Sequence, residues 1–187
     1  MVPRMGRTLR SDDPGFPAWA AQFVEDGRRA EVLMVVRNPD GLVWLHRKGE
    51  WRLPTGTLER GERPLTGLRR EVQEEFGIAL PLVATLGVLR IGTDALGVRG
   101  AFTSYLFLLD GGDHVPRPVV DEGIDAWRLE TPHGLRLVAA SLRALAPLAD
   151  RFGRNLSFWG AFRATEHEVV ADLLASEKLG ERSRRQG

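Results

Sequence analysis

Apolar residues recur along this chain with two periods, and the switches between them mark its elements. From Glu31 to Arg37 a Val/Leu/Met run continues without interruption over the length of a strand. Asn38-Pro39-Asp40-Gly41 stops it with turn residues, and Leu42 to Arg47 alternates as the partner strand of a hairpin. Trp51 to Pro54 is a short strand that the proline ends. From Pro64 the period lengthens: Leu65, Leu68, Val72 and Phe76 fall along one helical stripe. Pro64 suits the first helical position and Gly77 a left-handed cap, which bounds a helix of about three to four turns.

Leu82 to Ile91 and Phe102 to Leu109 read as further strands, Gly92 to Gly100 between them as a flexible loop, and Gly123 to Leu129 as the last strand. Thr131 and Pro132 open a helix whose apolar stripe runs from Leu135 to Leu148, and another is expected from about Ala164 to Ala175. At the other end, residues 1–15 read as a loosely packed arm, and Phe16, Trp19, Ala20 and Phe23 recur at helical spacing, predicting a short helix from Phe16 to Glu25. Glu181 to Gly187 reads as a solvated polar tail. Strands interleaved with one long helix and followed by another predict an α/β fold with helices on both faces of a mixed sheet.

Composition narrows the function. A chain of 187 residues makes one substantial domain with extensions. A net charge of +1 supplies no field to draw in nucleic acid or a membrane surface. No apolar run reaches membrane-spanning length and no secretory h-region follows the start, so a cytoplasmic location is the default expectation. The absence of cysteine excludes disulfides and thiolate catalysis. The apolar and aromatic segments at both ends predict a homodimer.

The expected helix from Pro64 also carries Glu71, Glu74 and Glu75 within about one turn. Clustered carboxylates repel and call for a counter-charge; a solvated acidic face is one reading, and a hard divalent cation, Mg²⁺ or Mn²⁺, is the other. With no cysteine and four scattered histidines, no zinc site competes.

Written out, the stretch is Gly56, five residues, Glu62, seven residues, then Arg70-Glu71-Val72-Gln73-Glu74-Glu75-Phe76-Gly77-Ile78. It resembles the signature of the Nudix hydrolase family at every defined position, and Trp51-Arg52-Leu53-Pro54 resembles the usual approach to it. The resemblance implies an α/β/α sandwich over residues 29–148, with 1–28 as an N-terminal arm and helix and 149–187 as a C-terminal helical extension and tail. It implies hydrolysis of a diphosphate linkage in a nucleoside diphosphate or triphosphate derivative. Glu74 and Glu75 would be metal ligands, with the Gly56 carbonyl adding an oxygen, and Glu71 either a third ligand or the base that takes a proton from water. Glu122, just before the last expected strand, is the other candidate base. Arg70 and Glu62 are expected to form a supporting pair, an Arg fork orienting a carboxylate more rigidly than a lysine.

The partner expected is a small nucleotide-type molecule, with no nucleic acid and no membrane. Trp44, Arg90, Arg99, Phe102 and Tyr105 are candidates for phosphate or base contact that also suit packing or solubility. His46, His114, His133 and His167 have no acid or nucleophile at telling spacing and read as structural or exposed. A ligand-binding sensor module without catalysis is the alternative; the complete glutamate set argues against it, as the missing cysteine does against isopentenyl-diphosphate isomerase chemistry.

Overall fold

A computed structural model describes residues 4–9, 30–93, 102–145 and 156–185, with side chains described at 30–90, 102–145 and 159–176. The strands are β1 (Arg4–Leu9), β2 (Ala30–Arg37), β3 (Val43–Lys48), β4 (Glu50–Arg52), β5 (Thr55–Thr57), β6 (Leu82–Thr93), β7 (Phe102–Asp110) and β8 (Ala126–Glu130). The helices are α1 (Pro64–Phe76), α2 (Pro132–Arg143) and α3 (Leu156–Arg185). Strand order is β1-β6-β7-β2-β3-β4, with β5 also paired to β2 and β8 to β3. Pairs β1–β6 and β2–β7 are parallel and the remainder antiparallel, so the sheet is mixed.

The uninterrupted apolar run of β2 has its reason in two cores. Leu33 and Val35 face one cluster with Leu135, Val138 and Leu142 of α2 and Trp159, Phe162 and Val170 of α3. Val32, Met34 and Val36 face the other with Leu68, Val72 and Phe76 of α1. Helices therefore cover both faces, as an α/β/α sandwich requires.

Several expectations change. Arg4–Leu9, expected in a loosely packed arm, pairs in parallel with Val88–Thr93 of β6. Backbone pairing at an edge needs no apolar alternation, which is why the arm's sequence gave no sign of it. Helix α2 ends at Arg143, and α3 runs from Leu156 through Arg185, taking in most of the expected tail. Trp159 and Phe162, aromatic residues of the C-terminal extension, lie in the chain's own core. The expected helix at Phe16–Glu25 lies outside the described residues.

The α2–α3 crossing is close: a Cβ on Gly160 would sit 2.0 Å from the Leu142 carbonyl oxygen. Polar pairs flank it, Arg143 with Glu168 at 2.7 Å and Arg136 with Asp172. Among the described residues no helix is long and apolar enough to cross a membrane.

Candidate active site

Helix α1 begins at Pro64 and ends in Gly77, whose φ of 71° is left-handed and whose N–H donates to the Gln73 carbonyl at 3.0 Å. Gly67 and Leu68 are its first buried residues, so Leu65, expected in the apolar stripe, is 46% exposed in the turn before contact with the sheet begins. The face against the sheet then takes 71, 72, 75 and 76 together. Glu71 and Glu75 are thereby buried, at 7% and 1% exposure, while Glu74 points to solvent. The expected acidic face is thus split between the interior and the surface.

Strand β5 brings Gly56 against the first of these carboxylates. Gly56 pairs with Val32 of β2, and a Cβ built on it would fall 1.8 Å from Glu71 Cδ. Only glycine fits while Glu71 keeps its position.

Each carboxylate has a cationic partner. Arg70 donates to Glu62 through Nε (3.2 Å) and Nη2 (3.0 Å), the expected pair, and also to Glu71 (2.8 Å), Glu74 (2.9 Å) and the Thr57 carbonyl (3.0 Å). Glu62 in turn accepts from the Glu59 N–H at 2.9 Å. Lys48 Nζ stands 3.3 Å from Glu75 Oε1 and 3.5 Å from Glu122 Oε2, which links the candidate base on its loop to the helix. His46 Nδ1 lies 3.3 Å from Glu75 Oε2, within ion-pair reach. The approach is too poorly aimed for a hydrogen bond, and both buried atoms lack one.

Burial pushes the Glu71 carboxyl up to about 7, against the pull of Arg70. Burial also opposes ionisation of Glu75, yet His46 and Lys48 outweigh it and hold that carboxyl below the usual range. His46 itself is driven below its ordinary value by burial, despite Glu75. Arg52 Nε donates to His46 Nε2 at 3.3 Å, which leaves the ring proton of a neutral imidazole on Nδ1, beside Glu75.

Sequence reasoning missed His46 and Lys48 as neighbours of the carboxylates. Their signal was the alternation of β3: Val43 and Leu45 face α2 and α3, so Trp44, His46 and Lys48 face α1. Of the other candidates, Trp44 and Tyr105 pack in the core under α1. Phe102 stacks edge-on against Phe162, Arg90 is exposed, and Arg99 lies outside the described residues. His133 is exposed, His114 half-buried and His167 buried.

Among the described residues no three His, Cys, Asp or Glu side chains converge closely enough to enclose an ion. The donor set nevertheless suits a hard cation. Its donors are oxygens, Glu75 Oε2 is buried without a hydrogen bond, and Gly56 leaves its side of Glu71 clear of any side chain. The charge such an ion would neutralise is met here by Arg70 and Lys48.

A family model described as the NUDIX domain matches residues 27–152. An RNA pyrophosphohydrolase of Halorhodospira halophila is 46% identical over 68 residues, 35% of this chain and 38% of that protein. An RNA pyrophosphohydrolase of Stenotrophomonas maltophilia is 32% identical over 154 residues, 67% of this chain and 74% of that protein. The chain spans 38%, 14% and 32% of the length of the first curated relatives that it matches. The solved dihydroneopterin triphosphate pyrophosphohydrolase of E. coli is 18% identical over 74% of this chain and 94% of its own, with a TM-score of 0.46, a likeness too loose to carry weight.

Proposed function

We propose that this chain, which belongs to the NUDIX domain family, is a Mg²⁺- or Mn²⁺-dependent hydrolase that cleaves a diphosphate linkage in a nucleoside diphosphate or triphosphate derivative. The observation that supports this most is the pair Glu71 and Glu75, one helical turn apart and both buried, with Gly56 closed against the first of them. Burying two carboxylates side by side is costly unless cations offset them. A purely supporting helix gains nothing from that cost.

Glu71, Glu74, Glu75 and the Gly56 carbonyl would hold the metal, which when bound neutralises non-bridging phosphate oxygens and polarises phosphorus toward water. The chain's own groups do the positioning. Arg70 ties the Glu62 loop and the Thr57 carbonyl to α1 and so fixes Gly56 relative to the carboxylates. Lys48 holds Glu122 and Glu75 on one ammonium. Glu71 or Glu122 takes the proton as a water oxygen bonds to phosphorus and the bridging P–O bond breaks, the electron pair leaving with the departing phosphate.

Two relatives are named RNA pyrophosphohydrolases, which adds RNA to the candidate substrates of this reading. The test is incubation with Mg²⁺ and a panel of 5′-triphosphorylated RNA, nucleoside triphosphates, dihydroneopterin triphosphate, nucleotide sugars, dinucleotides and coenzyme A, reading release of phosphate or pyrophosphate. Turnover of at least one, abolished by chelation, is expected. Tight binding without turnover across the panel would favour a sensor.

A further inference from the structure

Three residues spaced four apart on α3, Trp159, Arg163 and His167, form one stripe. Each contacts a residue that braces the candidate active site from the opposite face of the sheet, and all three lie beyond the residues that the family model matches.

His167 is fully buried and accepts a hydrogen bond at Nε2 from the Leu53 N–H at 2.9 Å. With Nε2 accepting, the ring proton sits on Nδ1, which meets the Arg163 carbonyl at 2.7 Å. The imidazole is thus fixed at both nitrogens, and Leu53 is fixed with it. Leu53 leads through Pro54, whose carbonyl accepts from Met34 N–H at 2.9 Å, into Thr55 and Gly56.

One turn earlier, Arg163 Nη1 donates to both oxygens of Glu31, at 2.9 and 3.0 Å, and to Glu166 at 2.8 Å. Glu31 pairs with Thr57 in the β2–β5 ladder, next to the pairing of Val32 with Gly56. Ser104 Oγ lies 2.9 Å from Glu31 and 2.7 Å from Glu166. Its one proton serves one of them, so the second contact calls for a protonated carboxyl. Burial, reinforced by Glu31, raises Glu166 well above the usual range and assigns that proton to it. Arg163 meets Glu31 as an ion pair through both carboxylate oxygens.

One turn earlier again, the Trp159 ring underlies the Arg52 guanidinium at 5.1 Å. Arg52 donates to His46, which faces Glu75.

We infer that α3 is a positioning element of the active site: its stripe of Trp159, Arg163 and His167 sets the Gly56 segment through Leu53 and Glu31, and Glu75 through Arg52 and His46. This rests on the hydrolase reading of the site for its catalytic consequence, but not for its structural one. Apolar residues such as Val170 and Leu174 already hold α3 to the sheet. A buried ion pair adds little net stability over apolar packing; what the polar stripe adds is a fixed orientation of the groups it meets.

The test compares the full chain carrying His167→Leu, His167→Gln, Trp159→Leu or Val170→Ala. Turnover of 5′-triphosphorylated RNA, or of another panel compound if the wild type prefers it, is read beside thermal melting. Hydrogen exchange is followed over residues 53–58. His167→Leu is expected to lower kcat by about tenfold or more, leave KM within about twofold and speed exchange at 53–58. His167→Gln, whose side-chain oxygen can accept from Leu53, is expected to restore most of both. Trp159→Leu should lower kcat with less effect on exchange, and it carries the test if His167→Leu does not fold. Val170→Ala melts lower from its cavity but should keep wild-type kcat and exchange at 53–58. Equal effects of Val170→Ala and His167→Leu, or no effect of the latter, would overturn the inference. A wild type that turns over nothing would instead defeat the hydrolase reading, and exchange at 53–58 would still decide the positioning role.

Discussion

Glu62 receives two arms of one guanidinium, Arg70 Nε at 3.2 Å and Nη2 at 3.0 Å, while the third nitrogen of that group bridges Glu71 and Glu74. A planar fork can serve three carboxylates and the Thr57 carbonyl at once; an ammonium is a single point. Arg70→Lys is therefore expected to fold, with a small drop in melting temperature, and to lose roughly tenfold to a hundredfold in kcat/KM. Steady-state kinetics beside a melting curve checks it, and unchanged kinetics would mean that the fork does not set the geometry of the site.

Gly56 answers to sterics. A methyl group there falls on the Glu71 carboxyl, so Gly56→Ala must displace either the loop or the carboxylate. Loss of most activity is expected, with destabilisation on the order of 1–3 kcal/mol by urea unfolding. Full activity in this variant would show that Glu71 is free to move without consequence.

Lys48 reaches both Glu75 and Glu122, which makes its ammonium a tethered competitor for any divalent cation at Glu75. Lys48→Met removes the competitor and leaves the carboxylates. Mn²⁺ binding measured by calorimetry should tighten severalfold, whatever happens to turnover. Weaker binding would indicate that Lys48 organises the ligands more than it repels the ion.

Stability should respond to acid through His167. Burial holds its pKa down to about 4 from an ordinary 6.5, with Arg163, Arg52 and His46 adding to the effect and the Arg163 carbonyl opposing it. As pH falls the unfolded chain takes the proton first. The stability from neutral His167 is therefore full above 6.5 and lost between there and about 4. The loss is on the order of 3 kcal/mol. Glu166 acts in the opposite sense: held protonated, it contributes fully below 4.5, and that contribution fades as pH rises through its raised value. Urea midpoints from about pH 7 to pH 4 should fall more steeply in the wild type than in His167→Gln. Parallel curves would contradict the buried neutral imidazole.

Much of the scaffold was legible in the chain because it depends on local signals. The β2 run, the Asn38–Gly41 turn, Pro64 and Gly77 bounding α1, and Thr131 capping α2 all express backbone preferences of a few neighbouring residues, and all occur as read. The Arg70–Glu62 pair was legible for a similar reason, since both belong to one continuous stretch. Contacts between distant segments left no such trace. Lys48 is 27 residues from Glu75 and 74 from Glu122, and His167 is 114 from Leu53. Edge strand β1 was hidden because its pairing is made by backbone groups that every residue carries. Alternation along β3 held the clue to His46 and Lys48, but the partner helix that gives their face a meaning is supplied by the tertiary structure.

The central claim, that Glu75 and its neighbours hold a divalent cation, is most directly tested by titrating Mn²⁺ into the wild type and Glu75→Gln and following bound ion by electron paramagnetic resonance. Saturable binding is expected in the wild type, weakened by about tenfold to a hundredfold in Glu75→Gln at unchanged fold by circular dichroism. Equal binding by the two proteins, or none by the wild type, would contradict it.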